Sequence, residues 1–152
     1  MAHHRVSASA LIPAPPAKVY ALIADYRNGH PRILPKPYFL TLTVEQGGMG
    51  AGTVITFQMK LMGRVQTFHA VIAEPEPGRI LTETDIDTGA ITTFTVEPNA
   101  GGQQASVTIT TDTHVPGGLA GLIQGWLTTR LLRPIYVKEL AQLASVATSH
   151  VA

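Results

Sequence analysis

The thirty residues from Gly118 to Ala147 constrain the fold most, because they read as one long helix in a chain whose remainder reads mainly as short strands. On a helical wheel Leu119, Leu122, Ile123, Trp126, Val137, Leu140 and Ala144 share one side, and Gln124, Thr128, Lys138, Glu139 and Gln142 share the other. The apolar side is therefore expected to meet a core. Two features disturb the pattern. Arg130 and Arg133 project near the apolar side, and Pro134 removes a backbone donor and crowds the preceding turn. A kink before Pro134 is expected, which would reset the phase and bring Leu131, Leu132 and Ile135 under cover.

At 152 residues the chain is expected to form one domain spanning 1–152, able to bury roughly two-thirds of the surface exposed when unfolded. Its formal net charge is +1 and its Lys and Arg are scattered, so no basic stripe points to a nucleic acid. Cysteine is absent, which removes disulfides, thiolate nucleophiles and Cys-based metal sites together and favours a reducing compartment. Near the N-terminus only Ala10 to Ile12 is apolar, too short for a signal segment, and no run approaches a membrane span. A cytoplasmic protein is expected.

Arg5 to Ile12 alternates with period two and reads as a half-buried strand ending at Pro13. Pro15 and Pro16 then suit the first turn of a short helix carrying Val19, Tyr20, Leu22 and Ile23, running to about Ala24. Asp25 to Pro37 is rich in Gly and Pro and has room only for a short helix around Arg32 to Leu34. Six more strands follow: Phe39 to Glu45, Thr53 to Leu61, Arg64 to Ala73, Ile80 to Asp85, Ala90 to Glu97 and Ala105 to His114. Met62 and Gly63 form a two-residue hairpin turn, pairing Met59 with Gln66, Phe57 with Phe68, Ile55 with Ala70 and Thr53 with Ile72. If Thr88 and Gly89 are a second such turn, Leu81 lies opposite Val96, Glu83 opposite Phe94 and Asp85 opposite Thr92. These elements give an α+β domain whose curved sheet closes on the last helix.

The stretch from Ile12 to Asp25, with Ile33-Leu34-Pro35, resembles the opening of the polyketide cyclase/dehydrase and lipid transport superfamily, the START-like helix-grip proteins that include the birch pollen allergen. The Gly47 to Gly52 connection, the junction from Glu74 to Leu81, the strand end Phe94 to Pro98 and the terminal helix agree with it. The resemblance implies a seven-stranded antiparallel sheet gripping the C-terminal helix, two small helices closing one end, and an apolar cavity between sheet and helix. Members range from lipid carriers to cyclases, so it leaves the chemistry open.

His3, His4, His30, His69, His114 and His150 have no ligand spacing, so no metal site is expected, and no cofactor is implied. His69 is expected to face outward. The glycines between Gly47 and Gly52 lack the Lys-Ser/Thr of a phosphate cradle and read as a turn at the cavity rim. Arg130 and Arg133 on the helix, with Glu83 and Asp85 on a facing strand, form the most informative constellation, since buried charges must pair with each other or with a ligand. They are either structural ion pairs or a site in which Arg130 orients an oxygen-bearing ligand while Glu83 or Asp85 handles a proton.

The expected function is binding of a small, largely apolar molecule, a lipid or polyketide-like compound, for carriage or sensing. Tyr26, Glu83, Asp85, Arg130 and Tyr136 would orient it, and Ile55, Phe57, Met59, Phe68, Leu81, Phe94 and Trp126 would supply apolar contact. Two other readings stand beside it. A cyclase or dehydratase would use Glu83, Asp85 and Arg130 as catalytic groups; a protein-interaction module would need an exposed apolar patch and little cavity.

Overall fold

Proline and glycine set most element boundaries in the computed structural model, which describes residues 2–149. Strand β1 (Ala2–Ile12) stops before Pro13, and helix α1 (Pro16–Ala24) starts with proline in its first turn, where a missing N–H costs nothing. Helix α2 (His30–Ile33) is a single turn that also opens on a proline. Six strands then run as a meander: β2 (Phe39–Gln46), β3 (Val54–Leu61), β4 (Arg64–Glu76), β5 (Ile80–Asp85), β6 (Ile91–Asn99) and β7 (Gln104–Val115). All neighbours pair antiparallel. β1 adds to the far side of β7, giving the order β1-β7-β6-β5-β4-β3-β2. The curved sheet wraps helix α3 (Gly118–Ala147), and the fold is a helix grip.

The β3–β4 hairpin has the expected register. Met62 and Gly63 both take positive φ, as a tight twisted turn requires, and Ile55, Phe57 and Met59 pair with Ala70, Phe68 and Gln66. The backbone N–H of Ile72 donates to the Thr53 carbonyl at 2.8 Å, as that register demands. The β5–β6 connection differs from expectation. Leu81 lies opposite Phe94 and Glu83 opposite Thr92, two residues from the expected register. The physical reason is Asp85, whose carboxylate accepts the N–H groups of Asp87 (2.8 Å) and Thr88 (2.9 Å) and widens the turn. A shift of two keeps every side chain on its face, so Glu83 still points inward.

Helix α3 has the expected limits but presents a different face. Its buried residues are Gly121, Gly125, Ile135, Tyr136, Glu139, Leu140, Leu143 and Ala147; of the expected apolar face Leu140 is buried and Ala144 packs against the core, whereas Leu119, Leu122, Ile123, Trp126 and Val137 are all exposed. The helix is turned this way because two glycines allow close approach. A Cβ on Gly125 would come within 2.7 Å of the His4 ring on β1, and one on Gly121 would overlap the Pro116 carbonyl oxygen. His4 is fastened in place by a 2.8 Å hydrogen bond between its Nε2 and Thr129 Oγ1. One helical phase then buries Ile135 and partly covers Leu131 and Leu132, so no phase reset at Pro134 is needed to explain them. The helix runs on through Pro134, which is exposed, so water can satisfy the carbonyl its missing N–H leaves free. Gly121→Ala is expected to lower stability by about 1 to 3 kcal/mol, as overpacking does, in urea unfolding. An unchanged midpoint would show that the helix start shifts freely.

Candidate functional site

Between the sheet's inner face, α2 and the second half of α3 lies a cavity of about 70 Å³. Strand alternation supplies its apolar wall. Phe39 and Leu42 come from β2, Ile55, Phe57 and Met59 from β3, Phe94 from β6 and Ile109 from β7, with Leu34 and Leu132 closing the helical side. The polar members are His30, Glu83, Thr92, Tyr136 and Glu139.

These polar groups form two connected sets. Tyr26 is fully buried and its hydroxyl donates to Glu83 Oε2 at 2.5 Å. The His30 ring stacks on Tyr26 at 4.3 Å between centroids and places Nε2 3.5 Å from the same carboxylate oxygen. His30 Nδ1 lies 2.8 Å from the Ile23 carbonyl, which can only accept, so Nδ1 carries a proton and the ring is held in one orientation. In the second set, Tyr136 and Thr111 share a short hydrogen bond, and Thr111 meets Thr92 at 2.8 Å. Burial pushes the Tyr136 hydroxyl up to about 12 and the Tyr26 hydroxyl well above its ordinary range, Glu83 adding to the latter. Both phenols stay protonated, and Tyr26 serves as a donor to Glu83.

Glu139 belongs to neither set. It is 3% exposed and lines the cavity, and among the described residues no side chain hydrogen-bonds its carboxyl. Burial, and then the Glu83 carboxylate, drive its pKa well above the ordinary 4.5. The shift favours its protonated form, whose O–H faces an apolar space. Two carboxyl groups thus share one cavity, Glu139 favoured in its protonated form, and between them they can hold, give or take a proton at a ligand oxygen.

A profile of the polyketide cyclase / dehydrase and lipid transport family matches residues 3–148. The chain belongs to that family. No curated protein sequence matches it. Among solved structures it is similar to the KanY protein, with 28% identity, a TM-score of 0.79, and coverage of 98% of this chain and 100% of that one. The Zhui aromatase/cyclase from Streptomyces sp. R1128 superposes with a TM-score of 0.73 at 16% identity, over 96% of this chain and 94% of that one. Norcoclaurine synthase from Thalictrum flavum, solved with dopamine and hydroxybenzaldehyde, has a TM-score of 0.73 at 13% identity, over 99% and 90%. At the identities of these last two the likeness is one of fold.

In this polyketide cyclase/dehydrase family member the residues singled out from sequence divide. Ile55, Phe57, Met59, Glu83, Phe94 and Tyr136 line the cavity. Tyr26 sits one layer behind, on Glu83; Phe68 stacks on Phe57 at 5.2 Å; Leu81 is buried in the sheet's core without reaching the space. Asp85 is spent on its turn. Trp126 and Arg130 lie outside the cavity, because the glycine face of α3 turns inward and their own face outward: Trp126 is 59% exposed, and the Arg130 guanidinium rests over its ring at 5.4 Å. Arg130 and Arg133 therefore meet neither Glu83 nor Asp85. His30, Thr92, Ile109, Leu132 and Glu139 were not singled out as ligand contacts. For Glu139 a signal existed, since Ile135, Tyr136, Glu139 and Leu143 continue the small-residue face of Gly121 and Gly125. His69 is half-buried on the sheet's other face, within 3.0 Å of Thr56 Oγ1, and His150 falls outside the described residues. Among the described residues no three His, Cys, Asp or Glu side chains gather as a metal site would require, and no helix is long and apolar enough to cross a membrane.

Proposed function

We propose that this protein binds a compact, largely apolar molecule carrying at least one oxygen acceptor, such as a carbonyl or phenol. The observation that carries the reading is Glu139, a buried carboxyl group that no side chain among the described residues hydrogen-bonds, lining a space walled by Phe39, Phe57, Phe94, Ile55 and Ile109. An apolar ligand gains its affinity from those walls and its orientation from the Glu139 carboxyl group. The space is small beside the roughly 300 to 1,000 Å³ usual for ligand sites, which favours a ring-sized or short-chain ligand over a long acyl chain. Membership of a family described by lipid transport and polyketide cyclisation or dehydration supports small-molecule binding.

A second reading, a cyclase or dehydratase, is favoured by the pairing of Glu139 with Glu83 in one cavity. Glu139 would protonate a leaving hydroxyl or a carbonyl oxygen while Glu83, held by Tyr26 and His30, removes a proton from carbon.

Leu132→Trp fills the space from the helix side and leaves the polar residues themselves unchanged. Binding of small phenols, followed by calorimetry, is expected at micromolar concentration in the native protein and to fall at least about tenfold in the variant. No binding by any of these compounds, with or without Leu132→Trp, would remove the cavity as the seat of function.

A further inference from the structure

We infer that the first half of α3 docks the protein on a membrane surface bearing anionic lipid headgroups. The inference does not depend on what fills the cavity. Leu119 and Leu122 are 72% and 73% exposed, and Ile123, Trp126 and Leu127 are each more than half exposed. Five large apolar side chains thus stand out on three turns of one helix, which isolated surface hydrophobics do not do. Two observations say what covers them.

The first is charge. Arg130 and Arg133 follow on the same exposed side, and from Thr113 to Lys138 the chain has no Asp or Glu. Among the described residues neither arginine has a carboxylate partner; Arg130 only overlies the Trp126 ring. Two unpaired guanidinium groups beside an apolar ridge complement lipid phosphates and anionic headgroups.

The second is shape. The side chains form a ridge on a helix whose opposite face already meets β1 at Gly125 and the Pro116 backbone at Gly121. A ridge sinks into a fluid interface without a matching groove, and Trp126 beside Arg130 puts an amphipathic ring and a cation at headgroup depth. Leu132, one and a half turns beyond Leu127, lines the cavity, so the docking face and the wall of the cavity belong to the same rigid helix.

The test uses the intact protein with vesicles of phosphatidylcholine, with and without phosphatidylserine. The chain has a single tryptophan, so emission from Trp126 reports the contact directly. Expected are co-sedimentation with the phosphatidylserine vesicles, a blue shift of Trp126 emission, and much weaker binding to phosphatidylcholine alone. Arg130→Glu with Arg133→Glu should weaken binding at least about tenfold, and Leu119→Ser with Leu122→Ser should do likewise. Both double variants change exposed residues only, so their melting temperatures should match the parent. The inference is overturned if the parent ignores both kinds of vesicle, or binds them equally, or if the variants bind as it does. It is also overturned if the parent sediments as a dimer that Leu122→Ser dissociates, which assigns the ridge to a second copy. Binding to poly-glutamate without vesicle binding assigns it to an acidic polypeptide and has the same consequence.

Discussion

Glu139→Gln is expected to flatten the pH dependence of stability above pH 4.5 and to make the protein more stable than the parent at neutral and alkaline pH. The folded-state pKa of Glu139 lies well above the unfolded value of 4.5, so between the two values the folded chain holds a proton that the unfolded chain has lost. The parent keeps its full stability below pH 4.5 and loses it as pH rises through the folded pKa. Each pH unit in that window removes about 1.4 kcal/mol. Tyr26 and Tyr136 are raised above 10, so their own effect begins only beyond pH 10 and leaves the window to Glu139. Urea unfolding at intervals from pH 4 to 9 measures the slope. Parallel curves for parent and variant would mean that Glu139 ionises freely in the folded protein and is no acid in waiting.

His30→Leu is expected to cost about 1 to 3 kcal/mol, the scale of leaving a buried hydrogen-bond acceptor without its donor. Leucine keeps much of the volume but withdraws the Nδ1–H that satisfies the Ile23 carbonyl and the Nε2 that faces Glu83. It also removes the ring that stacks on Tyr26 and meets Phe94 edge-on at 5.5 Å. His30→Gln, which returns an amide donor towards Ile23, should recover part of the loss. Denaturant midpoints of the two variants decide the matter. A loss below about 1 kcal/mol for leucine would show that Glu83 is stabilised by Tyr26 alone, since a single net hydrogen bond is worth about that much.

How far the sequence is legible depends on which force sets each feature. Turn chemistry is local, so Met62-Gly63 predicts the β3–β4 register, and proline in the first turn predicts α1. The β5–β6 register goes astray because Asp85 reaches over its own turn, a side-chain choice that strand periodicity does not carry. The limits of α3 are plain, but its orientation is not. A hydrophobic wheel counts side chains, whereas the close approaches on this face are made where two are missing, Gly125 against His4 of β1 and Gly121 against Pro116. That inversion moves Trp126 and Arg130 out of the cavity and Glu139 in. A buried glutamic acid is also the residue that a polarity scale assigns most firmly to water; only the tertiary setting makes it neutral. On the strand side alternation suffices, and Phe57, Met59, Glu83 and Phe94 face the space as their spacing implies.

The placement of β1 has a consequence for how the chain is made. Ile12 pairs with Ala105 and Ala2 with Val115, so this strand waits for a partner that the ribosome delivers roughly a hundred residues later, about 5 to 20 seconds at ordinary elongation rates. Until then β2 to β6 can meander into hairpins one after another, but β1 has no ladder to join and no helix face to cover His4. The nascent chain therefore carries an unpaired strand through most of its synthesis. Its alternating Ser7 and Ser9, which later face Thr110 and Thr108 across the sheet, keep one side of that strand wettable in the interval.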